Sequence, residues 1–277
     1  MKTIVTHFSV DFDATAAYWL VKKYLPGWKD TKAIFVAAGE TLNEKSPDID
    51  PNIIHLDTGF GRFDHHQTNL STCAAKLVFK FLLKESYIPE KNILALERLV
   101  NFVNQIDHFE EVYFAQPEAD CYDFCLYQTI EGLKHKLKDD IKVLEIAVIL
   151  FDATLNMLIN KIKAEEEIKQ AYVFQSYWGK SLALESKNEE AMKLAMKTGF
   201  NLVIRHDPSR NFVRIKTLPS KKNDLTILYD KLISIDKKAT WFLHISKNML
   251  LNGSSKNPKA VPTKLTLPQV IEIIKKL

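Results

Sequence analysis

The sequence predicts an α/β protein with an N-terminal parallel-sheet domain with helices on both faces, a helical connector and a smaller C-terminal α/β domain. Strand and helix patterns alternate over the first 110 residues, which is typical of a parallel sheet covered by helices. A long helical pattern follows, and strand–helix alternation then resumes. A chain of 277 residues has room for two domains of ordinary size. We expect the domains at 1–160 and 179–277, joined by a connector at 161–178.

The N-terminal domain begins with short runs of β-branched and apolar residues separated by helical patterns. Three strands are predicted, over Lys2–Thr6, Lys32–Ala37 and Asn52–Leu56. Apolar residues at helical spacing predict three helices, over Ala14–Tyr24, Ser71–Leu83 and Asn92–Ile106. Pro26 and Gly27 end the first helix, and Gly59 and Gly61 mark a turn after the third strand.

The rest of the chain begins with a mainly helical stretch from about 120 to 171. Within it, Lys138–Ala171 reads as one long helix. Beyond it, four strands are predicted, over Ser181–Glu185, Asn201–Arg205, Asn211–Lys216 and Thr240–Ile245. Three helices are predicted, over Glu189–Lys197, Asp224–Ile233 and Leu267–Lys276.

Composition excludes several classes of protein. Apolar residues make up 46% and charged residues 26% of the chain, which are the values of a globular protein. No run approaches the ~18 consecutive apolar residues of a membrane span, and acidic residues come too early for a secretory signal. Three cysteines cannot form a disulfide framework. We therefore expect a cytoplasmic protein that does not associate with membranes.

The two halves of the chain carry opposite charge. Residues 1–160 hold 16 Lys and Arg against 23 Asp and Glu, a net charge of −7; residues 161–277 hold 22 against 11, a net charge of +11. Six of the eight histidines lie in the acidic half. This distribution indicates that one half holds cations and the other attracts an anion; the alternative is that both are ordinary solvated surfaces.

Histidines and carboxylates cluster where predicted strands and helices end. They are His7, Asp11 and Asp13 after the first strand, Asp57 after the third, then Asp64, His65 and His66, and Asp107 at a helix end. Because ligand sites in such sheets lie beyond the carboxyl ends of the strands, we expect these groups to converge. Carboxylates with a few imidazoles suit a pair of divalent cations that act on a phosphoryl group.

Each of these residues also has a structural alternative. Asp13 is a candidate N-cap of the helix that follows it. His65 and His66 fit an exposed loop, and Asp57 and Asp107 fit turn or helix-end caps. The four features in this order favour the metal site over the separate alternatives.

Taken together, the motifs His7-x-x-x-Asp11-x-Asp13-Ala14, Asp57, Asp64-His65-His66 and Asp107 resemble those of the DHH phosphoesterase superfamily. Gln67 after the histidines is similar to the D-H-H-Q branch of melanocyte-proliferating-gene-type nucleases. The resemblance implies two divalent cations, with Mn²⁺ expected and Mg²⁺ as the alternative.

The resemblance also implies a role for each residue. His7 and Asp11 would hold the first cation, Asp13, His65 and Asp107 the second, and Asp57 would bridge them. Asp64 would orient a histidine, and His66 would face the scissile phosphate. Asp57, Asp64 and His66 are accordingly the expected catalytic residues.

The C-terminal domain departs from the superfamily's glycine-rich substrate motif G-G-G-H-P-x-A-A. Residues 253–260 read Gly-Ser-Ser-Lys-Asn-Pro-Lys-Ala, with Asn257 where the histidine is expected. The candidate substrate-binding residues are Arg205, His206, Lys256, Asn257 and Lys259. For any single basic residue, the alternative is a solvated surface position.

The sequence therefore predicts a two-metal-dependent phosphodiesterase, a 3′–5′ exonuclease or oligoribonuclease that acts on short single-stranded RNA or DNA. One alternative is a hydrolase of a small nucleotide-like phosphate compound, such as a cyclic dinucleotide, a nucleotide or pyrophosphate. A second alternative is a nucleic-acid or nucleotide binding module without catalysis. A homodimer is a further expectation.

Overall fold

A computed structural model describes residues 2–253 and 257–277 as two compact units. The first unit ends at Ile159 and the second runs from Asn160 to Leu277. The units hold a parallel three-stranded sheet and a mixed six-stranded sheet, each accompanied by helices. The predicted α/β class is confirmed.

The first unit is built on a sheet of strand order β2-β1-β3, in which both pairs are parallel. Its strands are β1 (Thr3–His7), β2 (Lys32–Val36) and β3 (Ile53–His55). Its helices are α1 (Phe12–Tyr24), α2 (Ala74–Lys84), α3 (Glu90–Asp107), α4 (Leu126–Leu137) and most of α5 (Asp140–Lys169). Short 3-10 helices occur at Leu42–Glu44, Glu110–Tyr113 and Asp120–Phe124.

Helix α1 is buried along almost its whole circumference, which explains why it is apolar on every side. It packs against α2, α3 and β1. On it, Phe12 and Trp19 stack on Phe151 of α5, with ring centroids 5.5 and 5.2 Å apart. This aromatic core fixes α1, and with it the loop that joins β1 to α1.

The long helix predicted over 138–171 is α5, which spans Asp140–Lys169. By length and composition alone it is apolar enough to cross a membrane, with a mean hydropathy of 1.7 in its most apolar window. Core helices of globular proteins meet the same criterion, although only 28% of that window is buried here. The buried residues of α5 include Val143, Ala147, Phe151 and Leu155.

The second unit has the strand order β4-β5-β6-β7-β9-β8, in which only the β5–β6 pair is parallel among the described residues. Its strands are β4 (Tyr172–Ser176), β5 (Gly179–Glu185), β6 (Leu202–Asp207), β7 (Phe212–Thr217), β8 (Trp241–Leu243) and β9 (Met249–Asn252). Its helices are α6 (Glu189–Lys197), α7 (Thr226–Ile235) and α8 (Leu267–Lys275).

Both faces of this sheet are covered. Ile204 of β6 joins a core with α7 and α8, whereas its neighbour Val203 joins a second core with α6. Side chains alternate between the two faces of a strand, and both faces of β6 are buried. Successive residues at the start of β6 are therefore all apolar, rather than alternating with polar ones.

Two strands differ from the prediction. Residues 172–176, assigned to the helical connector, form edge strand β4, because Phe174 packs into the sheet's core while Tyr172 and Val173 stay exposed. Strand β9 was not predicted, since it has only four residues and is defined by its pairing with β7 and β8.

Candidate metal centre

The predicted metal ligands converge at the carboxyl edge of the three-stranded sheet. His7 ends β1, and Asp57 follows β3, which pairs with β1. Three groups of side chains each have ligand atoms within 4.8 Å of one another, namely His7, Asp11 and Asp57; Asp13, His65 and Asp107; and Asp57, His65 and His66. The structure thus brings all six predicted ligands, together with His66, to one place.

Asp57 lies at the middle of this cluster. Its backbone has the left-handed conformation, with φ of 58°, and its N–H donates to the carbonyl of Phe63 at 3.0 Å. One carboxylate oxygen, Oδ2, is 3.3 Å from Nε2 of His7, and the other, Oδ1, is 3.3 Å from Nε2 of His65. Its two oxygens therefore face histidines from different groups, as a ligand shared by two cations must.

The orientation of His7 leaves one ring nitrogen for the cluster. Its Nδ1 lies 2.9 Å from the carbonyl oxygen of Phe8, which can only accept a hydrogen bond. In the neutral ring the proton is therefore assigned to Nδ1, and the lone pair of Nε2 points towards Asp57 and Asp11.

Asp11 and Asp13 hold the start of two different helices. The N-cap of α1 is Asp11, whose carboxylate accepts from the N–H of Ala14 at 2.8 Å. Asp13 is buried and accepts from the N–H groups of Ala74 and Ala75 at 2.6 and 2.8 Å, at the N-terminus of α2. The alternative that Asp13 caps its own helix is therefore wrong, because Asp11 takes that position and Asp13 turns inward to α2.

Asp64 fixes the position of His66. The buried carboxylate of Asp64 accepts from Nδ1 of His66 at 2.7 Å, from the N–H of His66 at 3.1 Å and from the N–H of Phe60 at 2.7 Å. The side chain of His66 is 56% exposed. This is the geometry of a carboxylate that orients an accessible histidine.

The carboxylates of the cluster are buried close to one another. Burial raises the pKa of Asp11, Asp13 and Asp107, and the charge of Asp57 adds to the effect; the pKa of Asp107 rises to about 6. Carboxylates crowded in this way need protons or cations to balance their charge.

The two histidines that face Asp57, His7 and His65, favour their charged forms, so their pKa values also rise. Burial lowers the pKa of His7, but contact with Asp57, the carbonyl of Phe8 and the charge of Asp11 together outweigh burial, and the pKa rises to about 9. Contact with Asp57 likewise raises the pKa of His65 to about 9. Burial disfavours the charge of Asp57, yet these histidines bring its pKa down to about 2.

The donor set fits a pair of divalent cations. Oδ1 of Asp57 and Nε2 of His65 are buried and make no hydrogen bond within the described part of the chain, although they lie near each other. Hard carboxylate oxygens with a few imidazoles suit Mn²⁺ or Mg²⁺. Unpaired ligand atoms that face a common space are what a cation would satisfy.

Sequence reasoning missed Asp140, which supports the loop between β1 and α1 that carries Asp11. Its carboxylate at the start of α5 accepts from the N–H groups of Ser9 and Val10, at 2.9 and 3.2 Å. Ser9 has the left-handed conformation, with φ of 58°, so the loop after β1 needs such support. No motif signals this contact, because it joins residues 131 positions apart in the sequence.

A pocket of about 420 Å³ opens on the cluster. It is lined by His7, Asp11, Ala38, Gly39, Asp57, Phe60, His66 and Asp107. This volume falls within the range of small-molecule sites.

The predicted substrate residues of the second unit have different surroundings. Arg205 lines a separate pocket of about 200 Å³ with Lys187, Arg210 and Arg214, and it donates to the carbonyl of Ser186 at 2.8 Å.

Of the other predicted substrate residues, the three that the structure describes, His206, Asn257 and Lys259, do not line that pocket. Both ring nitrogens of His206 are engaged, with Glu185 at 3.1 Å and Asn211 at 2.9 Å, so the structure gives this buried side chain a structural role. Asn257 and Lys259 are exposed, and Lys256 lies outside the described residues.

Comparisons with known proteins bear on the first unit. The family model described as "ChrB, C-terminal domain" matches residues 4–158, which include the whole metal cluster. Its description differs from the DHH superfamily that the motifs resemble. A solved structure, described as the DHH domain of a member of a ribosomal protein family, is 12% identical, with a TM-score of 0.29 over 99% of this chain and 86% of that chain. Comparison with curated proteins finds no match.

Proposed function

The chain belongs to the ChrB C-terminal domain family, and from the geometry of its metal centre we propose that it is a two-metal-dependent phosphoesterase. We propose short single-stranded RNA or DNA as its substrate. The observation that carries the proposal is Asp57, whose two oxygens face His7 and His65 of two adjoining ligand groups. The motif resemblance to DHH phosphoesterases, including the D-H-H-Q branch, points to the same chemistry.

Each residue has a distinct part in this proposal. His7 and Asp11 would hold one cation, Asp13, His65 and Asp107 the other, and Asp57 both. When bound, Mn²⁺ or Mg²⁺ would supply Lewis acidity towards the phosphoryl group and an activated water. The chain's own contribution is to fix these ligands through the hydrogen bonds already described.

His66 is the candidate for proton transfer. Because Asp64 holds its Nδ1, the opposite ring nitrogen is left for a phosphate oxygen in the pocket that His66 lines. A histidine whose tautomer is fixed by a buried carboxylate is well suited to hold or donate one proton at a defined atom.

The second unit supplies a candidate phosphate site. Arg205, Arg210, Arg214 and Lys187 line its small pocket, and the side chain of Glu189 neutralises part of their charge. Residues 161–277 carry a net charge of +11, which favours a polyanionic substrate. A volume of about 200 Å³ suits a single phosphate-sized group. Such a group is present both in an oligonucleotide and in the substrate of the second candidate function, hydrolysis of a small nucleotide-like phosphate compound.

A product-resolved assay with Mn²⁺ tests the proposal. The substrates are a five-nucleotide RNA, the matching DNA, a cyclic dinucleotide, a nucleoside monophosphate and pyrophosphate. We expect stepwise mononucleotide release from the five-mer that falls by several orders of magnitude in Asp57→Asn, because a shared ligand supports both cations. Asp30→Asn, an exposed carboxylate outside the cluster, is the matched control and should keep full activity.

The products decide between the candidates. Turnover of only the small compounds would favour the second candidate function. Cleavage that persists at full rate in Asp57→Asn would refute the two-metal mechanism. Tight oligonucleotide binding without any cleavage in Mn²⁺ would indicate a binding module instead.

A further inference from the structure

One wall of the metal pocket is aromatic. Phe60 lines the pocket together with His7, Asp57 and His66, yet 58% of its surface is exposed. Isolated exposed apolar residues are common on proteins. Phe60 differs because it lies beside a cluster of charged side chains, which offer an apolar ring little hydrophobic contact.

The edge of the Phe60 ring lies close to Gly39. Gly39 lines the same pocket with φ of +80°, and a Cβ atom there would lie 3.5 Å from Cζ and 3.6 Å from Cε2 of Phe60. The ring edge therefore rests close to the backbone of Gly39, whose N–H donates to the hydroxyl of Thr58 at 3.1 Å. Phe60 is nevertheless 58% exposed and lines the pocket.

The backbone of Phe60 is also held in an unfavourable conformation. Its φ is 55°, in the left-handed region that bulky residues rarely adopt. Its N–H donates to Asp64, the same carboxylate that positions His66. The carboxylate that orients the candidate proton donor thus also holds the backbone at Phe60, through its other oxygen.

We propose that Phe60 is a stacking surface for a nucleobase beside the metal centre. The ligand class is then a nucleotide or nucleotide end, with its planar base on Phe60 and its phosphate towards the metal ligands. This deepens the proposed function and rests on it. It favours substrates that carry a base next to the scissile phosphate over inorganic or base-free phosphates.

The expected size of the effect follows from the geometry. Stacking of a base on an aromatic side chain is worth about 5- to 150-fold in affinity by alanine substitution. Because the ring is more than half exposed, the low end of this range applies. We expect a loss of about tenfold in the affinity for a nucleotide.

The test compares two ligands that differ only by the base. Calorimetric titration of the Mn²⁺-loaded protein with AMP and with ribose 5-phosphate is carried out for the wild type, Phe60→Ala and Phe60→Tyr. We expect Phe60→Ala to weaken AMP binding about tenfold, to leave ribose 5-phosphate unchanged, and Phe60→Tyr to retain the wild-type preference.

Phe109→Ala is the matched control. Phe109 is 67% exposed, has φ of 56° and lies two residues after Asp107, but it is not among the residues that line the pocket. Its removal should leave the preference for AMP unchanged. An equal loss in Phe109→Ala would assign the effect to the general removal of exposed aromatic surface and would overturn the proposal.

The outcomes separate this inference from the proposed function. A wild-type protein that binds AMP no more tightly than ribose 5-phosphate, or not at all, overturns it. A protein that cleaves oligonucleotides but keeps its AMP preference in Phe60→Ala sustains the phosphoesterase and refutes the stacking role. Base-dependent binding that is lost in Phe60→Ala sustains stacking even if the cleavage assay fails.

Discussion

Replacing Asp107 by asparagine should stabilise the metal-free protein at neutral pH while weakening its response to metal. Asp107 ends α3 inside the cluster, and burial together with Asp57 and Asp11 raises its pKa from 3.8 to about 6, although His65 and His108 oppose the shift. Asp107 makes described ionic contacts with His65 at 3.7 Å and with His108 at 3.4 Å. Because both contacts are long, replacing the carboxylate by an amide of the same shape should remove little favourable interaction energy.

The sign and size of the change in the free energy of unfolding follow from proton linkage. Between pH 3.8 and 6 the folded state binds more protons at Asp107 than the unfolded state, so the free energy of unfolding falls as the pH rises through this window. The rise of the pKa of Asp107 from 3.8 to about 6 corresponds to about 3 kcal/mol. The value is an upper limit, because Asp107 also raises the pKa of His65.

The assay is denaturant unfolding in a chelator at pH 4 and pH 7, followed by the same titration in Mn²⁺. In chelator, Asp107→Asn should gain up to about 3 kcal/mol at pH 7 and almost nothing at pH 4. In Mn²⁺ the wild type should gain more stability than the variant, since a bound ligand stabilises the folded state by RT ln(1 + L/Kd), where L is the free ligand concentration, and a tighter site has the smaller Kd.

Asp30→Asn controls for the removal of a carboxylate at an exposed site outside the cluster. It should behave as the wild type under all these conditions. A destabilised Asp107→Asn protein in chelator at pH 7, or one whose gain is the same at both pH values, would refute the electrostatic reasoning.

Three further predictions concern the supports of the two units. Asp140→Ala should lower the free energy of unfolding by about 1–3 kcal/mol and weaken Mn²⁺ binding, because the loop at Ser9 loses its acceptor; unchanged Mn²⁺ affinity in a direct titration would contradict this. Gly253→Ala should destabilise by more than about 1 kcal/mol in denaturant unfolding, since φ is +80° and the new Cβ would clash with the ring of Phe212; wild-type stability would contradict the clash. Phe151→Ala should lower the unfolding free energy by about 3–5 kcal/mol, because a fully buried ring is removed; a loss under about 1 kcal/mol would show that the core refills the space.

Elements with strong local patterns were predictable from the sequence. Helix α6 has the predicted bounds, and α5 differs from them by two residues at each end. Edge strand β4 and strand β9 were not predictable from the sequence. Such short strands form because they pair with neighbouring strands, and their own composition carries little signal.

The candidate site shows the same division. The residue types and their order indicate oxygen and imidazole ligands, and all the predicted ligands lie in one cluster. The sequence offered Asp13 as the candidate cap of the helix that follows it, but in the structure Asp11 caps α1 and Asp13 accepts from the N-terminus of α2. That choice depends on how α2 packs beside α1, which local spacing does not encode.

Residue composition, periodicity and order predict the α/β class, the oxygen and imidazole side chains of the cluster and the opposite charge of the two halves. Packing of distant segments places Asp57 between His7 and His65, Asp140 against the loop after β1 and Phe60 in the wall of the pocket. The physical reason is that composition and periodicity act over a few residues. A hydrogen bond or a pocket wall joins residues that meet only when the helices and strands pack together.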